Sequence, residues 1–432
     1  MRRGLLLVTL LAPLAAGCGS TQDHAAAPAV ARPVSSAVCS KVTYGGVGSP
    51  RFLVPHVGPY QGAFSDHGVQ NAQSVKLVLR QHRWRAGDRS VGTQLCDEAS
   101  ADQDVDVPKC ARLARAFARD PSVLAVVGPT TSACAHAMIP ILNAAPGGPV
   151  ALVGPGNTYL GLTRAGPGVA AGDPGSLYPT GVRSYVRLAP ADDAQGAALV
   201  LAARDAGVRR PFFLHDGDAY GRGLVGAFGE VAQRLGLTPA GTAAWDGRAA
   251  SYGGLAHRIR AARADGVLIA GYITSNGPRL VRDLRVGLGR ATRLLATDGF
   301  NQPGTIVEGA GAHADGLMIS IASGPVRTLA PAGRRWAAEF ERATGTRPCC
   351  YATYTAQAMQ IVLDAIARSD ATRRGVLEQL QRTAVHDGLL GDFRFDRYGD
   401  TTQTRIAIYR IAAGRAHYVS SVDVPAELLT RR

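Results

Sequence analysis

Residues 124–132 read Leu-Ala-Val-Val-Gly-Pro-Thr-Thr-Ser, and residues 267–275 read Val-Leu-Ile-Ala-Gly-Tyr-Ile-Thr-Ser. Each is an apolar strand, then a glycine, then small hydroxyl residues opening a helix. The same alternation recurs on either side. Strands are expected over 51–56, 91–96, 124–128, 150–153, 211–215, 267–271, 293–297 and 316–320, and helix-like segments over 70–81, 110–118, 223–235, 252–264 and 277–287. Strand alternating with helix predicts a parallel, doubly wound sheet, and the number of strands exceeds one compact sheet of typical size. Two α/β sheets are therefore expected. The tail reads differently, with helices over 336–343, 354–369 and 372–382 and strands over 392–395 and 405–411. Open α/β sheets bind ligands at the carboxyl ends of their strands, where free helix N–H groups can meet an anion. Two such units face to face would make a cleft.

The chain has 432 residues, 46% of them hydrophobic and 19% charged, which excludes disorder over most of its length. Its net charge of +14 comes almost wholly from arginine, because lysine occurs only at Lys41, Lys76 and Lys109. The arginines are dispersed among alanines and leucines, as at Arg204, Arg209, Arg210, Arg222 and Arg234. No block of like charge and no interleaved aromatic series is present, so they read as a solvated surface and no nucleic-acid partner is expected.

The first twenty residues, MRRGLLLVTLLAPLAAGCGS, decide the compartment. Arg2 and Arg3 precede an apolar stretch from Leu5 to Ala16, too short for a bilayer, which needs about 20 residues. Residues 1–17 read as a signal peptide, and Leu14-Ala15-Ala16-Gly17-Cys18 resembles a bacterial lipobox. Cys18 would then carry the acyl chains that anchor the protein outside the cytoplasm, and losing Arg2 and Arg3 would lower the charge to +12. Residues 18–50, rich in Ala, Pro, Ser and Gly, read as a tether that can become ordered from Cys39.

Beyond Cys18 there are six cysteines: Cys39, Cys96, Cys110, Cys134, Cys349 and Cys350. An even number in an oxidising compartment points to disulfides, and six allow fifteen pairings among which sequence cannot choose. CxxC pairs and finger-spaced Cys and His are lacking, so no metal is expected. Gly221-Arg222-Gly223-Leu224-Val225-Gly226 has the spacing of a dinucleotide fingerprint, with Asp246 twenty residues beyond Gly226. However, His215–Tyr220 separate it from the preceding strand, whereas a nucleotide turn needs its first glycine directly after that strand. No P-loop, HExxH or GxSxG is present, so neither a cofactor nor catalysis has support. Asp298, in Thr297-Asp298-Gly299, reads on its own as a turn or cap aspartate.

An ordered series nevertheless carries a family resemblance. Gly128-Pro129-Thr130-Thr131-Ser132, Asp193-Ala194-Gln195-Gly196, Asp218-Ala219-Tyr220-Gly221, Thr297-Asp298-Gly299 and Gly391-Asp392-Phe393-Arg394-Phe395-Asp396 follow in turn. With the lipobox they resemble, over residues 51–411, an extracellular solute-binding protein of the branched-chain amino-acid (Leu/Ile/Val-binding) type, the receptor of an ATP-driven (ABC) importer. The resemblance implies a type I periplasmic-binding-protein fold: two doubly wound parallel-sheet lobes joined by three hinge crossovers, closing on ligand. The crossings fall near 188–191, 315–320 and 395–405, giving lobe 1 as 51–188 and 316–396 and lobe 2 as 189–315 and 397–432. It implies that Ser132, with Thr131 and Ala133 beside it, and Thr158, next to Asn157, hold a ligand carboxylate. Tyr220 and Tyr272 would wall the pocket and Asp298 would meet the ligand ammonium. Tyr351 would line the pocket from Arg347-Pro348-Cys349-Cys350-Tyr351, a stretch of unusual composition. Segment 161–178, rich in Gly and Pro, reads as an insertion at the cleft mouth, and Cys110 would pair with Cys134 or Cys96. The expected partners are an amino acid, an importer permease and the membrane that holds Cys18; the protein is expected to act as a monomer. A sensing module of the same fold, uncoupled from transport, is the alternative.

Overall fold

The computed structural model describes residue 1, residue 34 and residues 38–101 and 105–430. Cys18, the signal peptide and most of the tether lie outside the described residues. Among those residues run eleven α-helices: α1 (Ser65–Gln81), α2 (Val107–Arg119), α3 (Ser132–Asn143), α4 (Asp192–Asp205), α5 (Ala219–Arg234), α6 (Gly253–Ala261), α7 (Gly277–Leu288), α8 (Pro303–Ala310), α9 (Pro331–Thr344), α10 (Ala352–Arg368) and α11 (Arg373–Gln381).

The first lobe is built on a five-stranded parallel sheet in the spatial order Leu95–Asp97, His56–Gly58, Ala125–Val127, Ala151–Gly154, Tyr185–Arg187. Its strands are buried except at Leu95 on the edge, because helices cover both faces, with α2 and α3 on one side and α1, α10 and α11 on the other. The expected single strands over 51–56 and 91–96 are each broken. Phe52–Leu53 pairs with Arg89–Gly92 in a separate three-stranded sheet. Pro55 has no N–H to donate, so the ladder resumes only at His56, whose N–H reaches the Gln94 carbonyl.

The second lobe holds seven strands, in the order Gly241–Ala244, Pro211–His215, Gly266–Ala270, Arg293–Ala296, Met318–Ile321, Arg405–Ala412, Arg415–Asp423. The first five are parallel and the last two antiparallel, so this sheet is mixed rather than purely parallel. The closing hairpin turns at Ala413 and Gly414, both at positive φ (48° and 73°), the backbone that suits the twist of a two-residue hairpin. Helices α4 and α5 pack on one face, and α6, α7 and α8 cover the other.

Three passages cross between the lobes, after Arg187, after Ile321 and after Arg394. The second corrects the sequence reading: Met318–Ile321 pairs with Arg293–Ala296, so the chain leaves the second lobe beyond residue 321, not over 315–320. The end of the tether is ordered from about Cys39, as its sequence allowed. Residues 38–43 lie against the first lobe, with Ser40 N–H bonded to Leu95 O and Thr43 N–H to Thr93 O. The first and third passages run side by side, Arg187 N–H reaching Gly399 O at 2.9 Å. The fully buried Arg187 bonds Asp400 at 2.7 Å, and Arg164 joins Asp400 to Asp193 at the start of α4. One hydrophobic core runs through both lobes by way of these passages, and each lobe has a second core on its outer face.

Disulfides join Cys39 to Cys96, Cys110 to Cys134, and the adjacent pair Cys349 and Cys350. Of the two partners expected for Cys110, the structure selects Cys134.

Candidate functional site

The carboxyl ends of the strands in both lobes face one narrow cleft with a cavity volume of about 50 Å³. Occupied small-molecule sites run from roughly 300 to 1,000 Å³, so the two walls stand nearly closed on each other here. From the first lobe it is lined by Pro59, Phe64, His67, Thr130, Thr131, Ser132, Gly156, Thr158 and Tyr351, and from the second by Tyr220, Tyr272, Asp298, Gly299 and Asn301. Seven of the nine residues singled out in the sequence therefore meet here.

On the first lobe, the loop after Ala125–Val127 turns at Gly128, whose φ is +109°. A Cβ there would sit 2.1 Å from the Val57 carbonyl oxygen, so only glycine lets the loop pass beneath its neighbouring strand. The loop then enters α3 at Ser132, whose leading N–H groups have no partner within the helix. The Ser132 hydroxyl oxygen accepts from the N–H groups of Thr158 and Tyr159, both at 3.2 Å, which leaves its own proton available to donate.

Thr131 differs from the expectation. Its hydroxyl donates to Glu98 at 2.7 Å and its N–H to the same carboxylate at 3.2 Å, while Thr130 N–H takes the other oxygen at 2.9 Å. The Thr131 hydroxyl is thus committed beneath the loop, and the residue lines the cleft without offering that group. Asn157 is also corrected: fully buried, it does not line the cleft. Its amide nitrogen bonds the carbonyls of Pro129 and Thr131, and its oxygen accepts from Tyr185, so it ties the two loops together. Ala133, on the first turn of α3, does not line the cleft either.

On the second lobe, Asp298 follows the strand Arg293–Ala296, at the point where a 3-10 turn begins. Its Oδ1 accepts from Gln195 Nε2 at 2.9 Å and from the Tyr220 hydroxyl, and its Oδ2 accepts from the Tyr351 hydroxyl at 2.5 Å. Burial, reinforced by the Asp298 charge, holds both phenols well above their ordinary pKa, so they remain proton donors to this carboxylate. Tyr351 precedes α10 on the first lobe, so its bond to Asp298 crosses the cleft. Tyr272 packs against Tyr220 with ring centroids 5.1 Å apart.

Sequence reasoning missed several members. Gln195 lay inside a quoted series without a role, and it now orients Asp298 while its amide also bonds Ser320 O. Glu98 is wholly buried under the Thr130–Thr131 loop, and burial pushes its pKa up to about 7 although the hydrogen bonds from Thr131 and Thr130 pull it down. Burial raises the Asp192 carboxyl well above the usual range, with Asp298 adding to the effect. Phe64 and His67 come from the start of the first lobe, and burial lowers the His67 pKa to about 4, so this ring is neutral. Glu98, Cys110 and Cys134 converge as metal ligands would, but both thiols are spent in a disulfide.

Segment 161–178 lines no part of the cleft, which corrects its placement at the mouth. It lies beside the crossovers, through Arg164, and against α5. A Cβ on Gly226 would come within 2.5 Å of Pro167 and Gly168, and one on Gly223 within 3.1 Å of Tyr159. Gly223 and Gly226 of the apparent nucleotide fingerprint therefore serve close packing of loop on helix, and Gly221 the approach of α5 to the Ala270 carbonyl.

Residues 54–416 match the periplasmic binding protein family. An amino acid binding protein of Pseudomonas aeruginosa is 25% identical over 253 residues, 56% of this chain; the match spans 65% of that protein's length. The leucine-binding protein LivK of Thermotoga maritima superposes with a TM-score of 0.73 at 20% identity, covering 86% of this chain and 99% of that one. LivJ of Streptococcus pneumoniae, solved with isoleucine, gives 0.70 at 16% identity over 86% and 99%. A solute-binding protein of R. palustris in complex with 4-hydroxybenzoate gives 0.70 at 13% identity over 87% and 98%. These structural likenesses show a common type I fold. With two doubly wound lobes, three crossovers and a cleft at the strand ends, matched by sequence along most of its length, the chain belongs to the periplasmic binding protein family.

Proposed function

We propose that the protein is an extracytoplasmic receptor, anchored through a lipidated Cys18, that captures an amino acid between its lobes and delivers it to the permease of an ABC importer. One observation carries this reading: the cleft sets proton donors against a carboxylate. Ser132 and the start of α3 offer O–H and N–H groups suited to a ligand carboxylate, strengthened by the positive end of the helix dipole. Thr158 lines the same wall. Asp298 offers the opposite charge to an ammonium. A zwitterion meets both ends, whereas an unpaired charge in a closed cleft costs several kcal/mol. An aromatic carboxylate, as found in the R. palustris relative, would meet the donor wall but bring no ammonium to Asp298. The family's place outside the cytoplasm supports the location, and no described helix is long and apolar enough to cross a membrane.

The test is a thermal-shift screen of the protein after unfolding and refolding with its disulfides intact, so that carried ligand is lost. Saturation at a hundred times Kd adds about 2.7 kcal/mol, so a cognate amino acid should raise the midpoint by several degrees. A response to sugars or amides with none to any amino acid would overturn the assignment. Loss of uptake on deletion separates delivery from sensing.

A further inference from the structure

Two of the three disulfides close long loops, with partners 57 and 24 residues apart, and Cys96, Cys110 and Cys134 are fully buried. Cross-links of that kind stabilise mainly by constraining the unfolded chain. Cys349–Cys350 joins neighbours, closes no such loop, and leaves Cys349 exposed and Cys350 half-buried. Its effect is local. Cys350 sits at φ +59°, a left-handed backbone that an L residue other than glycine seldom adopts unless its surroundings impose it. The next residue is Tyr351, whose hydroxyl bonds Asp298 across the cleft. The turn is held on the other side by Cys349 N–H to Gln70 of α1 at 2.8 Å, and Ala352 N–H returns to the Cys349 carbonyl at 3.0 Å. Both cysteines line a second cavity of about 530 Å³, distinct from the cleft but sharing Asn301 with it, through which a small thiol can reach the sulfurs.

We infer that Cys349–Cys350 is a thiol–disulfide exchange site that sets the affinity of the cleft through the position of Tyr351, a reading that rests on the proposed ligand-binding role of that cleft. The reactant is a dithiol. One of its thiolates attacks a cysteine Sγ, and the S–S bond breaks with its electron pair passing to the other cysteine, which takes a proton. The second thiol of the reductant then displaces the first cysteine. Two protein thiols and one oxidised dithiol result, with two electrons and two protons transferred. Freed of the ring, Cys350 leaves the left-handed region and Tyr351 moves away from Asp298.

The experiment titrates the native protein with dithiothreitol, alkylates the thiols that appear, and locates them by peptide mass spectrometry. Amide hydrogen exchange at Ala352 and Thr355 is followed in parallel, and L-leucine affinity is measured by calorimetry. Cys349 and Cys350 should be labelled before the other four, exchange at both amides should accelerate, and Kd should rise by about tenfold or more, the worth of one hydrogen bond to a charged group. A Cys349→Ser/Cys350→Ser variant should bind as weakly as the reduced protein and ignore dithiothreitol. Labelling of the buried cysteines first, or labelling of this pair with exchange and affinity unchanged, overturns the inference. If oxidised protein fails to bind L-leucine, the affinity arm passes to the amino acid that responds in the thermal screen. If none responds, it is the amino-acid reading that falls, and exchange at Ala352 and Thr355 decides this inference alone.

Discussion

On the first lobe the cleft is faced by neutral groups: a helix start, hydroxyls and backbone N–H donors, braced from beneath by Glu98 and Asn157. On the second it is faced by a carboxylate ringed by phenols and held by Gln195. The first wall takes its shape from buried hydrogen bonds between loops, so its members are individually weak and collectively fixed. The second concentrates its effect in one charge. Truncation should therefore act very differently on the two sides.

The largest effect is expected at Asp298. Asp298→Asn keeps the shape and removes the charge, and should weaken binding of a zwitterionic amino acid by roughly a hundredfold or more, the cost of stranding a buried partner charge. Calorimetry that found less than a fivefold change would take Asp298 out of the site and end the contrast between the walls.

Beneath the neutral wall the expected effect is on stability rather than on binding. A carboxyl whose pKa is raised on folding binds its proton more tightly in the folded state. The stability contributed by Glu98 is therefore full below about pH 4.5 and is lost as pH rises through about 7. Glu98→Gln should flatten this part of the pH profile by about 3 kcal/mol between about pH 4.5 and 7, read by urea unfolding across that range. An unchanged profile would show that the Thr130–Thr131 loop does not depend on that ionisation.

The smallest effect belongs to the wall's own surface. Ser132→Ala should raise Kd only about five- to tenfold, the value of one hydrogen bond, because neighbouring N–H groups continue to meet the anion. A loss as large as that at Asp298 would erase the difference between distributed and concentrated recognition.

The alternation of apolar strands with amphipathic helices was legible because both sheets are covered on two faces, and so was the glycine-then-hydroxyl pattern that places Ser132 at a helix start. Helix α4 was not. Asp192–Asp205 is buried nearly all round between the second sheet and α5, so it shows no polar stripe, and Gln195 was seen only as part of a family series. Glu98 escaped because nothing in Cys96-Asp97-Glu98 announces that a chain segment thirty residues later will lie on top of it. Asn157 was misread for a related reason. A polar residue in a loop at a cleft can face the ligand or bind the neighbouring loop, and only the backbone path decides between them. The fingerprint glycines show the converse, a recognisable spacing whose cause is close packing: Gly226 and Gly223 against Pro167, Gly168 and Tyr159, Gly221 against the Ala270 carbonyl.

The ion pair between Arg187 and Asp400 has a mechanical consequence. It bolts together two of the three passages between lobes, at a point where neither charge reaches water. Breaking it would strand a charge in the interior, so any change in the angle between the lobes must rotate around this pivot and leave it whole. Such a joint opposes sliding of the two passages past each other and so limits the orientations the lobes can take. Fewer orientations remain to be given up on capture, and more of the contact energy survives as affinity.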